Sequence, residues 1–391
     1  MPLTVRVSYP PTYAQSAAAG ARVVLASTER STADTLLADA QGSVRFGRVI
    51  PGSYTLSASR ALTADEAFTL TGQRTAVALA AALPARAVQA GGDTLVTLAL
   101  QGSRLGNLVI KEVYYTGSRT PSGDTYFSDQ FIELYNNSTD TLFLDSLYIA
   151  DVFGNSGQIN PTSLPTPFNT DATSVYASSI WQFPGTGRQR PLPPGRSVIL
   201  AQDGINHRTD PLGNPNSPVD LSTADFESFN QRDDNRDVDA PNVPNLTRVW
   251  FTGGFDWLWT VFGPGLVVFR APPTGFVLDT VRVPGSPALP PRVRIPNAWV
   301  IDAFEGLQNG GSGSYKRLPA ALDAGFVFAT GTYTSESFRR RTAATIGGRR
   351  VLQDRNNSAE DFERLSRPTP RTFDDVPRTN LAPWGLVVRR P

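Results

Sequence analysis

Short runs in which apolar and polar residues alternate, each cut off by a turn, recur along this chain and constrain its fold more than any other feature. Leu3, Val5 and Val7 set the rhythm, and a period of two marks a strand with one buried face. Gly20-Ala-Arg-Val-Val-Leu25 is a second strand, and Asp39-Ala-Gln-Gly42 is a tight turn before Val44 and Phe46. Ile50-Pro-Gly52 turns the chain into Tyr54, Leu56 and Ala58. Residues 75–82 and 94–100 predict further strands of this series. Beyond it, strands are predicted over 107–115, 129–137, 141–151, 197–201, 266–270, 277–283 and 299–301. With 33 Gly and 32 Pro, the chain favours turns, short strands and long loops over helices. The expected fold class is all-β, built as two β-sandwich domains: 1–102, and 103–391 with long insertions at about 153–195, 203–262 and 320–350.

Composition removes several kinds of chemistry. There is no Cys, so disulfides, thiol catalysis and zinc–thiolate sites are excluded. His207 is the one histidine, which rules out any metal site needing two His ligands from one chain. No Gly-x-Ser-x-Gly elbow marks an activated nucleophile beside it. A net charge of +1 leaves no electrostatic footprint for nucleic acid. No run of apolar residues is long enough to span a membrane. The opening Met1-Pro-Leu-Thr-Val enters a strand pattern at once and is not a signal peptide. Either the protein is cytosolic or Met1 stands in place of a removed export signal.

Four segments carry candidate sites. Asp233, Asn235, Asp237 and Asp239 fall at spacings of two in an acidic run, and a tightly turned loop would aim such oxygens at calcium. The run lacks the Gly and the closing Glu of an EF-hand, so a solvated polar loop is the competing reading. His207, in Asp-Gly-Ile-Asn-His-Arg, is either a hydrogen-bonded structural residue or a ligand contact. Trp250, Trp257 and Trp259 lie in a segment with three Trp and three Phe among thirteen residues. As a strand, that segment would put Trp257, Trp259 and Val261 on one face. It would be core beneath the long loops, or else an exposed platform for a sugar, another planar ligand or a protein partner, which Trp181 would join. Arg339 to Arg341 and Arg349-Arg350 flank Gly347-Gly348, either as a solvated face or as a dock for acidic groups.

The pattern Gly-Ala-x-Val-x-Leu, Asp-Ala-Gln-Gly and Val49-Ile-Pro-Gly-Ser-Tyr-Thr-Leu56 resembles the carboxypeptidase-regulatory, or transthyretin-like, sandwich over residues 3–100. That resemblance implies a stalk or spacer with no catalytic residues. Ile110-Lys-Glu-Val-Tyr-Tyr115, Phe131-Ile-Glu-Leu-Tyr-Asn-Asn137, Ser314-Tyr-Lys-Arg-Leu318 and Asp354-Arg-Asn-Asn-Ser-Ala-Glu-Asp-Phe362 resemble the lamin-tail domain, an immunoglobulin-like sandwich. Together with Val198–His207 and Val219–Glu227, the whole chain resembles a bacteroidete-type family of surface lipoproteins of unknown function. The likeness implies export, a lipid anchor outside this sequence, and company with TonB-dependent outer-membrane receptors. Three functions follow as expectations. The first is a non-enzymatic surface protein that binds or scaffolds beside such a receptor or another surface protein. The second is a homo-oligomeric subunit of a filament or surface assembly, and the least supported is a calcium-dependent hydrolase.

Overall fold

The computed structural model describes residues 2–372, apart from 12, 31, 72–76, 89–93, 105–106, 158–166, 235, 238, 273–274 and 347. The described residues are mainly β, in several antiparallel and mixed sheets.

Two sheets share the first core. In one, Leu3–Ser8 lies between Ser43–Phe46, antiparallel, and Thr94–Ala99, parallel. The other runs in the order Ala33–Leu37, Arg22–Ser27, Gly52–Leu62, Val77–Val88, Gln101–Arg104. Leu3, Val5 and Val7 face Val23, Leu25, Leu56 and Leu79 across this core, which draws only on residues 3–100. The alternation read from Leu3, Val5 and Val7 is the alternation seen, because this sheet has one face on the core. A helix, Ala64–Thr71, interrupts the β series. Thr63 and Glu66 form its capping box: Thr63 N–H donates to Glu66 Oε2 at 2.8 Å and Glu66 N–H to Thr63 Oγ1 at 3.2 Å. Gln101–Arg104 still pairs with Val77–Ala80, so the first sheet runs to Arg104 and the next system begins at Leu108.

The second core lies between a six-stranded and a seven-stranded sheet. The six-stranded sheet centres on Leu108–Tyr114 and Phe131–Asn136; the seven-stranded sheet centres on Tyr148–Val152, Ser174–Gln182 and Gly265–Phe269. Ile110, Ile132, Leu134 and Val198 from one sheet meet Ile149, Trp181, Leu266 and Phe304 from the other. The outer faces are covered too. Val219, Leu221, Ala240 and Val243 pack over Tyr114, Phe131 and Ile199. Leu318 and Leu322 pack over Ala150, Val267 and Phe269.

This double covering hides one strand from sequence reading. Ser174–Gln182, a nine-residue strand, sits within a span expected to be a loop. Seven of its nine residues are buried, so its sequence shows no period of two. Conversely, the strand expected over 277–283 is reduced to Thr280–Val281. The strand expected at 299–301 starts at Val300 and continues to Glu305.

Candidate functional site

Of the residues singled out in the sequence, Trp181, Trp257 and Trp259 come together, but inside the protein. Trp257 and Trp259 are 2% and 3% exposed. This corrects the stacking-platform expectation for both, since no ligand ring reaches them. Their rings form a T-shaped pair at 5.2 Å, and Trp181 packs on Trp257 at 5.7 Å. The segment around them is not a strand. Gln130 takes the place of a neighbouring strand: its Oε1 accepts from Trp259 N–H at 2.9 Å, and its Nε2 donates to Trp259 C=O at 3.0 Å. Gln202 Nε2 donates to Gln130 Oε1 at 2.6 Å and also to Trp257 C=O. Two buried amides therefore satisfy a backbone that has no ladder. Trp257 Nε1–H donates to Asp151 at 2.7 Å. Trp250 is half-buried, pairs with Ile180 in the seven-stranded sheet, and packs on its outer core.

His207 is fully buried. Its Nδ1 lies 2.7 Å from Tyr126 Oη and its Nε2 3.2 Å from Asp203 C=O. Burial pulls its pKa down to about 4, so the ring is neutral at ordinary pH. With both nitrogens engaged, it is a structural residue and not a ligand contact.

The calcium candidates do not gather into one group among the described residues. Asp233 is exposed, Asp239 accepts from Asn245 Nδ2 at 2.7 Å, and Asn235 lies outside the described residues. The neighbouring Asp234 is engaged by Arg232 at 2.7 and 2.8 Å. Among the described candidates only Asp237 turns inward, where Asn230 N–H donates to it at 2.8 Å. The run turns at Asp233-Asp234 instead of staying extended, so residues spaced by two are not held on one face. Among the described residues, no three His, Asp or Glu side chains are arranged to hold a metal ion.

What sequence reasoning missed is the company Asp237 keeps. Asp203, Glu227 and Asp256 are drawn into the same region from distant parts of the chain. Burial raises the pKa of Asp203 to about 7, and the charge of Asp237 pushes it the same way. Burial also raises Glu227 to about 8 and Asp237 to about 6. Asp256 is pushed up by burial and by the charges of Asp203 and Asp237. Glu227, Asp237 and Asp256 each do a structural job. Glu227 accepts from Gly204 N–H and Ala240 N–H, both at 2.8 Å, and Asp256 accepts from Trp257 N–H. A second acid pair, Glu112 and Glu133, sits directly across the ladder of the six-stranded sheet. Lys111, at a bulge there, donates to Glu133 at 2.9 Å. Thr369 N–H and Arg371 N–H cover the two acids, at 2.8 Å from Glu112 and 3.0 Å from Glu133.

Open space of ligand size lies elsewhere, between the two sheet systems. A cleft of about 500 Å³ has the outer face of the first unit's five-stranded sheet as one wall. The small side chains of Val24, Ala26, Thr55, Ser57 and Ala82 line it. The opposite wall is Phe326 and Phe328, with the loop through Gly310, Gly311 and Gly313. Arg22 and Glu360 form an ion pair across this junction. The volume falls in the usual small-ligand range, and a cleft between two structural units is a common place for such a site.

Residues 193–369 match the family model described as a protein of unknown function (DUF4876). The matched span includes the inward acids, the cleft's aromatic wall and the Asp354–Phe362 motif. Over nearly its whole length the chain is similar to a solved DUF4876 family protein from Bacteroides thetaiotaomicron. That match has 27% identity and a TM-score of 0.60, and covers 97% of each chain. A candidate adhesin from Bacteroides ovatus aligns at 9% identity over 75% of this chain and 82% of its own, with a TM-score of 0.18, too low to indicate a shared fold. No curated protein matches the chain. No helix among the described residues is long and apolar enough to cross a membrane.

Proposed function

We propose that this protein binds or scaffolds at the cell surface without catalysing a reaction, as an accessory lipoprotein beside a TonB-dependent outer-membrane receptor. The observation that carries binding is the open cleft between the two sheet systems. Acids whose pKa values are raised far toward neutrality, Glu227, Asp203, Asp302 and Asp361, sit at structural positions instead of lining it. In this reading both units are β-sandwiches, the second immunoglobulin-like; residues 1–102 act as a spacer domain, and 103–391 carry the binding loops. The likeness to a Bacteroides protein over the full chain is consistent with the bacteroidete-type surface family that the sequence resembles.

The test is surface proteolysis of intact native cells, followed by affinity purification from solubilised outer membranes. The protein should be cleaved in unbroken cells and should co-purify with an outer-membrane receptor. Protection until the cells are broken, or purification alone, would overturn the reading.

One observation favours assembly as a second reading. Ala33–Leu37 is the edge strand of its sheet, all five residues are exposed, and Leu37 is 68% exposed. An open edge of this kind can pair with another chain. Light scattering after size exclusion decides: a persistent monomer at high concentration rules assembly out.

A further inference from the structure

We propose that the cleft between the two sheet systems takes a neutral, hydroxyl-rich ring ligand, a short uncharged oligosaccharide. This deepens the binding reading above and rests on it.

The walls set the shape of the ligand. Phe326 and Phe328 stand 6.4 Å apart with their planes 46° from one another. They rest on bare backbone: a methyl group at Gly310 would lie 3.4 Å from Phe328, and one at Gly313 would lie 3.6 Å from Phe326 and 3.8 Å from Thr55. Glycine there keeps the aromatic wall close to the sheet without filling the slot. The facing sheet presents mostly short side chains beside Leu83, so the space between is a slot suited to a flat ring. Phe328 is 42% exposed although it is a large apolar residue in a folded wall. Aromatic faces beside an open cleft offer a ring such a surface.

Charge decides which ring. The charged side chains at the cleft already have polar partners. Glu29 accepts from Ser53 N–H at 3.2 Å, and Arg30 donates to Pro51 C=O at 3.2 Å and to Tyr54 Oη at 3.3 Å. Lys316 Nζ is 3.7 Å from Glu305. Glu360 pairs with Arg22 and, at 3.2 Å, with Arg355. A charged ligand would have to displace a resident partner or sit beside a like charge, and both cost free energy. A neutral polyol can donate to the acids and accept from the bases while leaving the pairs intact. The sheet wall adds the hydroxyls of Thr55 and Ser57, two residues apart and on one face.

The experiment is titration calorimetry on the full chain with maltotriose, xylotriose and mannotriose, and with trigalacturonate as the charged comparator. At least one neutral trisaccharide should bind saturably, and trigalacturonate at least tenfold more weakly. Phe328→Ala should lower the affinity at least tenfold with an unchanged melting temperature, because the ring is exposed. Ser57→Val keeps the strand and removes a hydroxyl, and should weaken binding severalfold. Absence of saturable binding to every neutral trisaccharide, equal binding of trigalacturonate, or unchanged affinity in both variants would overturn the proposal. Failure here with receptor co-purification intact would sink the ligand class alone; loss of surface exposure would sink the underlying reading.

Discussion

Arg340 and Asp302 meet at 2.7 Å with both side chains withdrawn from solvent. The pair ties the two sheets of the second core together, since Arg340 comes from one and Asp302 from the other. Arg340 also donates through Nε to Ile110 C=O at 2.8 Å and through Nη1 to Gln353 C=O at 3.0 Å. Asp354 and Asp361 lie at 3.4 and 3.5 Å. Asp361 in turn accepts from Arg355 N–H at 2.8 Å and Asn357 N–H at 3.2 Å. The Asp354–Phe362 motif is thus a frame around one buried guanidinium. Arg317 repeats the device with Glu305, at 2.8 Å, and with the carbonyls of Gly263 and Gly306.

Replacing Arg340 by Met should destabilise the protein by about 3–5 kcal/mol, because it strands buried carboxylates without their cation. Arg340→Lys should recover only part, since an ammonium cannot reproduce the fork that serves Asp302, Ile110 and Gln353 at once. Urea unfolding checks both. A loss below about 1 kcal/mol for Arg340→Met would show that the hub is not structural.

Stability should rise as pH falls from 8 to 6.5. Burial raises Glu227 to about 8, and Glu112, Asp203, Asp302 and Asp361 to about 7, above their values in an unfolded chain. One guanidinium cannot neutralise all the carboxylates around it, which is why Asp302 and Asp361 stay raised. In this window the native state holds more protons than the unfolded state, so stability falls with rising pH. His207 acts in the opposite sense, but only below about 6.5. There the unfolded imidazole takes a proton that the buried ring, at about 4, refuses. Melting curves from pH 6.5 to 8 should therefore slope downward, and Glu227→Gln should flatten the slope. A rising curve would contradict the assignment.

Trp257→Ala should cost about 3–5 kcal/mol, as other large-to-small changes in packed cores do. It removes a ring wedged against Trp181 and Trp259 and takes from Asp151 its 2.7 Å donor. Chemical denaturation followed by circular dichroism reads the loss. A variant as stable as the parent would place Trp257 at a surface, as the sequence alone allowed.

The alternating strands of the first unit were legible because one face of each sheet is buried and the other is not. The turns at Asp39–Gly42 and Ile50–Gly52 were legible because Gly and Pro fix backbone shape locally. The closing motif at Asp354–Phe362 stood out as a string of residues, and its purpose, holding Arg340, did not. Ser174–Gln182 escaped notice because both its faces are covered. That His207, Trp257, Trp259 and Asp237 lie inside was hidden for a related reason. Residue type and spacing report what a side chain can do, and only packing reports whether solvent or a ligand can reach it. The sequence by itself determined a β-rich chain without thiols and without a multi-histidine site. Tertiary structure alone decided which polar side chains went inside and where a cleft was left open. Burial and inter-sheet contact join residues far apart in the chain, and no local pattern records such a meeting.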